Sequence, residues 1–206
     1  TRTKSLNEAI KDRIKVAIFD DGLQDKTISY DLSFVCFNND SNIGNGFLIP
    51  AGPLREKLSS IKHYDGIFLN GNEEDTSQFK ELIKRYNTNI KIFEAYYLPT
   101  NIEELDRSSK YLIFSGIGNP NTFQKTLMKL KLNIAKSIEF PDHYQYTKKN
   151  IEEIQIQAKK LGAKILTTEK DYIKIAEFDC AEINFLKVDL VIKQEEELIN
   201  FLKSKL

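Results

Sequence analysis

The chain has 206 residues, of which 41% are hydrophobic and 29% charged. This length and apolar content provide for one large or two small packed domains and exclude a disordered chain. The 30 Lys and Arg side chains balance the 30 Asp and Glu side chains, so charge gives no reason to expect a nucleic-acid partner.

Cys36 and Cys180 stand apart from any CxxC or Cys/His pattern. This favours buried, inert thiols in a reducing compartment over a redox role. No apolar run reaches the ~18 to 20 residues that span a bilayer, and nothing resembles a secretory signal. We therefore expect the residues present here to be soluble and cytosolic.

The beginning of the chain is typical of a piece of a longer protein. The first residue is Thr1 and the only methionine is Met128. Residues 5–11 (SLNEAIK) fit the last turns of a helix that leads into a strand at Ile14–Asp20. We expect an earlier part of the fold to precede Thr1.

Apolar segments alternate with helical patterns along the chain, which predicts an α/β fold with a parallel sheet. Two segments, Ile14–Phe19 and Tyr111–Phe114, are continuously apolar and are expected to be buried on both faces. The predicted strands cover residues 14–20, 33–38, 65–70, 89–98, 110–116, 163–168 and 183–192.

The clearest helical pattern starts after Thr147, an N-cap candidate, and ends at Gly162. Its apolar residues form one stripe that we expect to face a core: Ile151, Ile154, Ala158 and Leu161.

A domain boundary is predicted near Leu98, where a long apolar strand ends at Pro99 and a polar stretch follows. Residues 1–98 would form one α/β lobe with the start of a β linker. Residues 99–206 would form a second α/β lobe, with a cleft between the two.

The segment IFDDGLQ, residues 18–24, places two adjacent carboxylates at the end of an apolar strand. Gly22 could turn the backbone and bring Asp20 and Asp21 to one site, where carboxylates commonly hold Mg²⁺ in nucleotide enzymes. Taken alone, DDG fits an ordinary surface turn better. No Gly is followed by Lys, so the sequence lacks the G-x-x-x-x-G-K-[ST] phosphate loop expected upstream of such a strand.

The loop PAGPLRE, residues 50–56, follows a rigid Pro/Gly path that would deliver Arg55 and Glu56 into the first turn of a helix. Arg55 could hold a phosphate, and Glu56 could orient a metal-bound water or Arg55 itself. Taken alone, the loop fits a helix-start turn without a ligand somewhat better.

The segment GIGNP, residues 116–120, connects a strand to a helix predicted at about residues 123–130. Gly116, Gly118 and Asn119 could present backbone N–H groups to a cofactor, although a turn without a ligand fits equally well. Asn121 replaces the third glycine of a dinucleotide fingerprint, which disfavours an NAD-dependent oxidoreductase.

His143 stands in PDHY, directly after a predicted strand and between a carboxylate and a phenol. In a polar cleft it could transfer a proton or support another catalytic acid, although an isolated DHY fits a structural turn better. His63 lies at a helix end rich in Lys and Tyr and is expected on the surface.

In TTEKD, residues 167–171, Thr168 is predicted to cap a short helix with Asp171 as its N3 partner. The alternative is a contribution of charge to the cleft.

The order of these motifs changes their meaning, because together they resemble the tetraacyldisaccharide 4′-kinase family, the lipid A 4′-kinases. The resemblance runs from about Ile14 to Lys174. The matching features, in order, are DDGLQ (20–24), Asp31, Gly44-Asn45-Gly46, LIPAGPLRE (48–56), GIGNP (116–120), DHY (142–144) and TTEKD (167–171).

The resemblance implies a P-loop-kinase-like sheet, incomplete at its N-terminus, and a second α/β lobe joined by a short β linker. It implies phosphate transfer from ATP, with Mg²⁺, to the 4′-hydroxyl of a disaccharide lipid A precursor at the cytoplasmic face of a bacterial inner membrane. Asp20 and Asp21 would serve the metal and phosphate site, Glu56 would assist the metal, and His143 would support a catalytic aspartate. Arg55 is adjacent to these roles. A monomer is expected.

The chain departs from the family pattern in two ways. Leu23 stands where the family usually has Phe, which is a packing change. The family's phosphate loop, catalytic aspartate and membrane-contacting segment would all precede Thr1, so we expect the chain alone not to turn over. The alternative function is a non-catalytic module that binds a nucleotide or a sugar phosphate.

Overall fold

The computed structural model describes residues 2–71, 75–178 and 180–205. It is an α/β structure whose residues divide into two compact units. Unit 1 consists of Thr1–Asn70, Asp75–Glu94 and Ile192–Leu206, and unit 2 consists mainly of Ala95–Val191. Within the described residues, no helix is both long and apolar enough to cross a membrane.

Unit 1 contains β1 (Phe34–Asn38), β2 (Gly66–Asn70) and the first part of β3 (Lys91–Pro99), which belong to a sheet with the strand order β1-β2-β3-β8, where β8 is Val188–Ile192. β1 and β2 are parallel. Its core consists of buried aliphatic and aromatic side chains, among them Ile67, Phe79 and Ile83. The elements with residues in unit 1 are α1 (Arg2–Lys11), β1 (Phe34–Asn38), a 3-10 helix (Leu58–His63), β2 (Gly66–Asn70), α2 (Ser77–Lys84), β3 (Lys91–Pro99) and α6 (Glu195–Lys205).

Unit 2 contains a fully parallel sheet with the strand order β5-β4-β6-β7. Its elements are a 3-10 helix (Ile102–Glu104), β4 (Lys110–Ser115), α3 (Pro120–Lys129), β5 (Asn133–Glu139), α4 (Lys148–Leu161), β6 (Ala163–Thr168), α5 (Glu169–Ile175), β7 (Ile183–Leu186) and β8 (Val188–Ile192).

The central strand β4 is buried on both faces, as its continuous apolar run predicts. Leu112 and Phe114 pack into one core with residues of α4, while Tyr111 and Ile113 pack into a second core with residues of α3. This alternation follows from the two-residue period of a strand. Helices therefore cover both faces of the unit 2 sheet.

α4 begins and ends where the sequence predicts. Thr147 and Asn150 form a reciprocal capping box at its start, and Gly162 adopts the left-handed conformation (φ +59°) at its end. Three of the four predicted stripe residues are buried, but Leu161 is 40% exposed because it lies in the last turn, at the margin of the core.

The segment Ile14–Asp20 is not a strand, so that prediction is wrong. No strand of the described residues pairs with it, and Ile18 is 93% exposed. A strand is buried on both faces only when other elements cover both, and the described residues do not provide them here.

The C-terminal apolar segment 183–192 also differs from its prediction as one strand. It forms β7 and β8, which belong to different sheets and are separated at Lys187.

The division between units falls inside β3, between Glu94 and Ala95, and again inside β8. Residues 192–206 thus group with unit 1. The single boundary that the sequence predicts near Leu98 would instead assign them to the second lobe. α6 contributes Phe201 to the aromatic contacts of Phe34 and Phe93 in unit 1.

Two isoleucines of α4 provide a test of this packing. Ile154 is 1% exposed and Ile156 is 54% exposed. We expect Ile154→Ala to lower the free energy of unfolding by about 3 kcal/mol, because it leaves a cavity in the core. Ile156→Ala should change it by less than about 0.5 kcal/mol. Urea unfolding followed by circular dichroism measures both, and equal losses would contradict the described orientation of α4.

Candidate active site

The predicted site residues divide between the two units. Asp20, Asp21, Arg55 and Glu56 belong to unit 1, and Gly116, Gly118, Asn119 and His143 belong to unit 2. The two groups are described separately.

The DDGLQ turn of unit 1 bends at Asp21 and not at Gly22. Asp21 has a left-handed backbone (φ +50°), which Asp tolerates better than most residues. The Arg2 guanidinium donates hydrogen bonds to the carbonyl oxygens of Asp20 (3.0 Å) and Asp21 (2.8 Å). Gly22 is needed for a different reason, since a Cβ there would lie 2.9 Å from the Tyr30 hydroxyl. That hydroxyl donates to the Gly22 carbonyl at 2.8 Å.

The PAGPLRE loop meets the DDGLQ turn through an ion pair. The guanidinium of Arg55 donates to both carboxylate oxygens of Asp21, at 2.9 and 3.3 Å. This fork geometry is the one in which arginine also binds phosphates. Both side chains are more than half exposed, so a ligand could reach either of them.

The loop that carries Arg55 is held by its own contacts. Asn45 donates to the Ala51 carbonyl at 2.8 Å and accepts from the Phe47 N–H at 3.1 Å. A Cβ at Gly52 would clash with the Asn45 side chain and with the Phe47 backbone carbonyl, so only glycine fits. The predicted helix start is wrong, because Arg55 and Glu56 lie in a bend that precedes the 3-10 helix Leu58–His63. The contacts of Asn45 and Gly52 fix the loop without a helix.

Glu56 is held by a residue that the sequence did not suggest. The Tyr64 hydroxyl donates to its carboxylate at 2.8 Å. This hydrogen bond, the strongest influence, lowers the pKa of Glu56 against the opposing effect of burial, and Gln24 of the DDGLQ turn, Lys26 and Ser60 contribute. Burial, together with Glu56, raises the pKa of Tyr64 to about 12. No periodic pattern relates positions 56 and 64, so sequence reasoning had no signal for this pair.

An open cavity of about 1000 Å³ adjoins these side chains. Its polar lining includes Asp20, Asp21, Arg55 and Glu56, and its apolar lining includes residues of the segment 14–19. Cys36 on β1 also lines it and is exposed, so its predicted burial is wrong, whereas Cys180 is buried as predicted. Desolvation by the surrounding groups, with a smaller effect of the nearby Asp20 and Asp21 carboxylates, raises the pKa of the Cys36 thiol, which therefore stays protonated near neutral pH.

The carboxylates of unit 1 are too few to enclose a hard cation by themselves, but they could bind one together with the phosphates of a nucleotide. No cluster of three His, Cys, Asp or Glu side chains that could hold a metal occurs in the described parts of the chain. Mg²⁺, however, needs only one or two carboxylates when phosphates and waters complete its shell. Among the described residues, the Asp20 carboxylate makes no hydrogen bond or ion pair, so it is available for this role.

The glycines of GIGNP in unit 2 lie close to the DHY turn and to the Tyr146 that follows it. A Cβ at Gly116 would lie 2.8 Å from the Tyr146 hydroxyl, and one at Gly118 would lie 3.1 Å from the Asp142 carboxylate. Asn119 caps α3 by accepting a hydrogen bond from the Thr122 N–H. A cofactor is thus not needed to account for these residue types, and their role in cofactor binding stays a prediction.

TTEKD does more than cap a helix. Thr168 caps α5 as predicted, accepting from the Asp171 N–H at 3.1 Å. The fully buried Asp171 carboxylate also accepts from the Gly116 N–H at 2.9 Å and pairs with Lys174 at 2.9 Å. Lys174 donates in turn to the Gly116 carbonyl at 3.3 Å. The N–H and the carbonyl of Gly116 are therefore both hydrogen-bonded, the first to Asp171 and the second to Lys174.

His143 occupies an exposed turn after β5, and His63 is exposed as well, as predicted. The His143 side chain is 78% exposed and its nearest charged neighbour is Asp142. Exposure leaves the imidazole accessible to a ligand.

We expect Tyr64→Phe to raise the pKa of Glu56 toward its ordinary value of 4.5, because the hydrogen bond to the carboxylate is lost. A carboxyl group whose folded pKa is lowered stabilises the protein above its unfolded pKa and loses that effect as the pH falls through the folded pKa. Tyr64→Phe should therefore cost more stability near neutral pH than in acid.

Carbon-13 NMR titration of the glutamate carboxyl groups measures the pKa of Glu56. Urea unfolding near neutral pH and in acid measures the loss of stability. Tyr86→Phe, which changes an exposed tyrosine of the same unit, is the matched control. An unchanged Glu56 titration in Tyr64→Phe would contradict the described contact.

Several proteins that are similar to this chain in sequence carry the same name. Residues 1–206 match the family Tetraacyldisaccharide-1-P 4'-kinase. A tetraacyldisaccharide 4'-kinase from Pelagibacter ubique (strain HTCC1062) is 53% identical over 199 residues, which cover 97% of this chain and 63% of that protein. The protein of the same name from Rickettsia bellii (strain OSU 85-389) is 37% identical, with 79% of this chain and 49% of that protein covered. The chain thus spans about half to two thirds of the length of these relatives.

The fold has a counterpart among solved structures. The crystal structure of LpxK from Aquifex aeolicus in complex with ATP superimposes with a TM-score of 0.67 at 24% identity, covering 99% of this chain and 62% of that one. The predicted α/β, P-loop-kinase-like fold is confirmed. The motif resemblance is confirmed by the match over the whole chain, and the chain belongs to the tetraacyldisaccharide-1-P 4'-kinase family.

Proposed function

We propose that the complete protein transfers the γ-phosphoryl group of ATP to the 4′-hydroxyl of a tetraacyldisaccharide 1-phosphate, a precursor of lipid A. Family membership supports this reaction, and the relatives from Pelagibacter and Rickettsia are named for it. The observation that carries the proposal is the pairing of the DDGLQ turn with the PAGPLRE loop through Asp21 and Arg55, beside an open cavity.

In this proposal, the unit 1 side chains bind and neutralise phosphate charge. Phosphoryl transfer depends mainly on positioning and electrostatic stabilisation. Arg55 can exchange its fork contact with Asp21 for phosphate oxygens, since both groups are exposed. Release of Arg55 would free the Asp21 carboxylate beside Asp20. Glu56 remains ionised near neutral pH, because its pKa is lowered by Tyr64.

Mg²⁺ is the metal that this donor set suits. When bound with ATP, the ion would supply positive charge against the charge of the phosphates. Asp20 and Asp21 would hold it directly, and Glu56 would orient one of its waters. Tyr64 keeps Glu56 in place for that task through the 2.8 Å hydrogen bond.

Unit 2 would contribute His143 to the reaction. Its exposed imidazole would support a catalytic carboxylate by holding or passing on a proton. Gly116, Gly118 and Asn119 would present the α3 N-terminus to the nucleotide. The acceptor carries four acyl chains, so the reaction would take place at a membrane surface, on the cytoplasmic side where ATP is available.

The test is an assay of the complete gene product with ATP, Mg²⁺ and tetraacyldisaccharide 1-phosphate, with mass spectrometry of the product. We expect Asp20→Asn, Asp21→Asn and Glu56→Gln each to lower kcat by about 100-fold or more, because charge stabilisation at the phosphates is lost. The 206-residue chain assayed alone should be inactive, since it has no phosphate loop of its own.

Glu81→Gln is the matched control, since Glu81 is an exposed carboxylate of the same unit on α2. It should leave kcat unchanged. Full activity in the three site variants would overturn the proposal. Binding of Mg-ATP without transfer by the complete protein would instead favour a non-catalytic binding module.

A further inference from the structure

The His143 imidazole has no packing to fix its direction, because 78% of the side chain is exposed. Its backbone, in contrast, is held in a defined turn. The Tyr144 N–H donates to the Pro141 carbonyl at 3.1 Å, and His143 adopts a left-handed conformation (φ +57°). Its polar neighbours are therefore the groups that can restrict the orientation of the ring.

Asp142 supplies two contacts to His143. One carboxylate oxygen, Oδ1, accepts the His143 N–H at 2.9 Å. The other, Oδ2, lies 3.7 Å from the imidazole Nε2. A carboxylate beside one nitrogen stabilises the protonated ring and restricts its rotation. The single Asp142 side chain thus contacts both the backbone and the ring of His143.

Lys170 pairs with Asp142 in turn. Its ammonium group lies 3.5 Å from Asp142 Oδ1. Lys170 follows the cap residue Thr168 on α5, and the next residue, Asp171, is completely buried and bound to Gly116. The start of α5 is therefore anchored in the core, and from this backbone position the half-exposed Lys170 side chain reaches the DHY turn.

We propose that Asp142 and Lys170 are positioning residues that hold the His143 imidazole in the orientation used for catalysis. This inference rests on the proposed function for the role of His143 itself. It assigns to TTEKD the task of supporting the DHY turn, in addition to capping α5.

The other charged and titratable groups of the surrounding elements do not replace this arrangement. On α5, Asp171 and Lys174 pair with each other at 2.9 Å. After the turn, Tyr144 donates its hydroxyl to Asn150 at 3.4 Å. Burial, assisted by Asp171, raises the pKa of Tyr146, which keeps its phenol neutral. The turn from Gly116 to Asn119 contains no charged residue. Among the described contacts, Asp142 is the charge paired with the His143 ring, and Lys170 is the charge paired with Asp142.

NMR titration of the two imidazoles of the chain tests the inference without an activity assay. His63→Gln and His143→Gln assign the signals. We expect Asp142→Asn to move the titration midpoint of His143 to lower pH, because a negative neighbour is lost. Lys170→Met should move it to higher pH, because a positive neighbour is lost. Each shift should be about half a pH unit.

Lys164→Met is the matched control. Lys164 pairs with Asp106 at 3.0 Å, and it lies at the start of β6, whereas Lys170 follows the end of that strand. This variant and the His63 signal should show no shift. Shifts of opposite sign are expected if both charges act on the imidazole, but not if the two residues have a purely structural role. Shifts of the same sign in Asp142→Asn and Lys170→Met, or no shift in either, would therefore overturn the inference.

Activity of the complete protein separates this inference from the proposed function. Asp142→Asn should lower kcat and leave the KM for ATP unchanged, and Asp142→Glu should restore part of kcat. If His143→Gln retains full activity while the NMR midpoints move as expected, the catalytic role of His143 fails and the positioning of its ring stands. If His143→Gln abolishes transfer while the midpoints do not move, the positioning inference fails and the proposed function stands.

Discussion

The parallel register of β4, β5 and β6 is the constraint on which the arrangement of the motifs in unit 2 depends. Parallel strands end at the same edge of a sheet, so the segments that follow these three strands meet there. These segments are the GIGNP, DHY and TTEKD motifs. The buried Asp171 carboxylate then joins the first motif to the third by accepting the Gly116 N–H. A buried charge requires such partners, so the arrangement is well defined.

Unit 1 joins its two motifs with exposed groups. Asp21 and Arg55 form an exposed fork contact, whereas the carboxylate of the Asp171–Lys174 pair is completely buried. The two ion pairs therefore suit different tasks. The exposed pair contributes little to stability and can exchange partners, while the buried pair fixes the backbone of Gly116. Glu56 combines features of both pairs: a hydrogen bond from Tyr64 holds its carboxylate, and the residue still lines the cavity.

Local signals predicted much of the fold. The capping box of α4, the cap of α5 and the two-sided burial of β4 follow from patterns within a few residues. The same apolar pattern failed at Ile14–Phe19, where the described residues provide no neighbouring strand. Periodicity reports what a segment can bury, but burial requires a partner that a local pattern does not name. Gly22 shows the same limit, since its small size serves contact with Tyr30 and the turn itself lies at Asp21.

The sequence by itself determined the family, the order of the motifs and the residue types that can serve a phosphate and a metal. These depend on local chemistry and on spacing along the chain. Tertiary structure alone decided which motifs touch: Arg55 with Asp21, Tyr64 with Glu56, Asp171 with Gly116, and Lys170 with Asp142. Such pairs join residues that are 8 to 55 positions apart. Their meeting depends on strand register and loop path, which no short window of sequence contains.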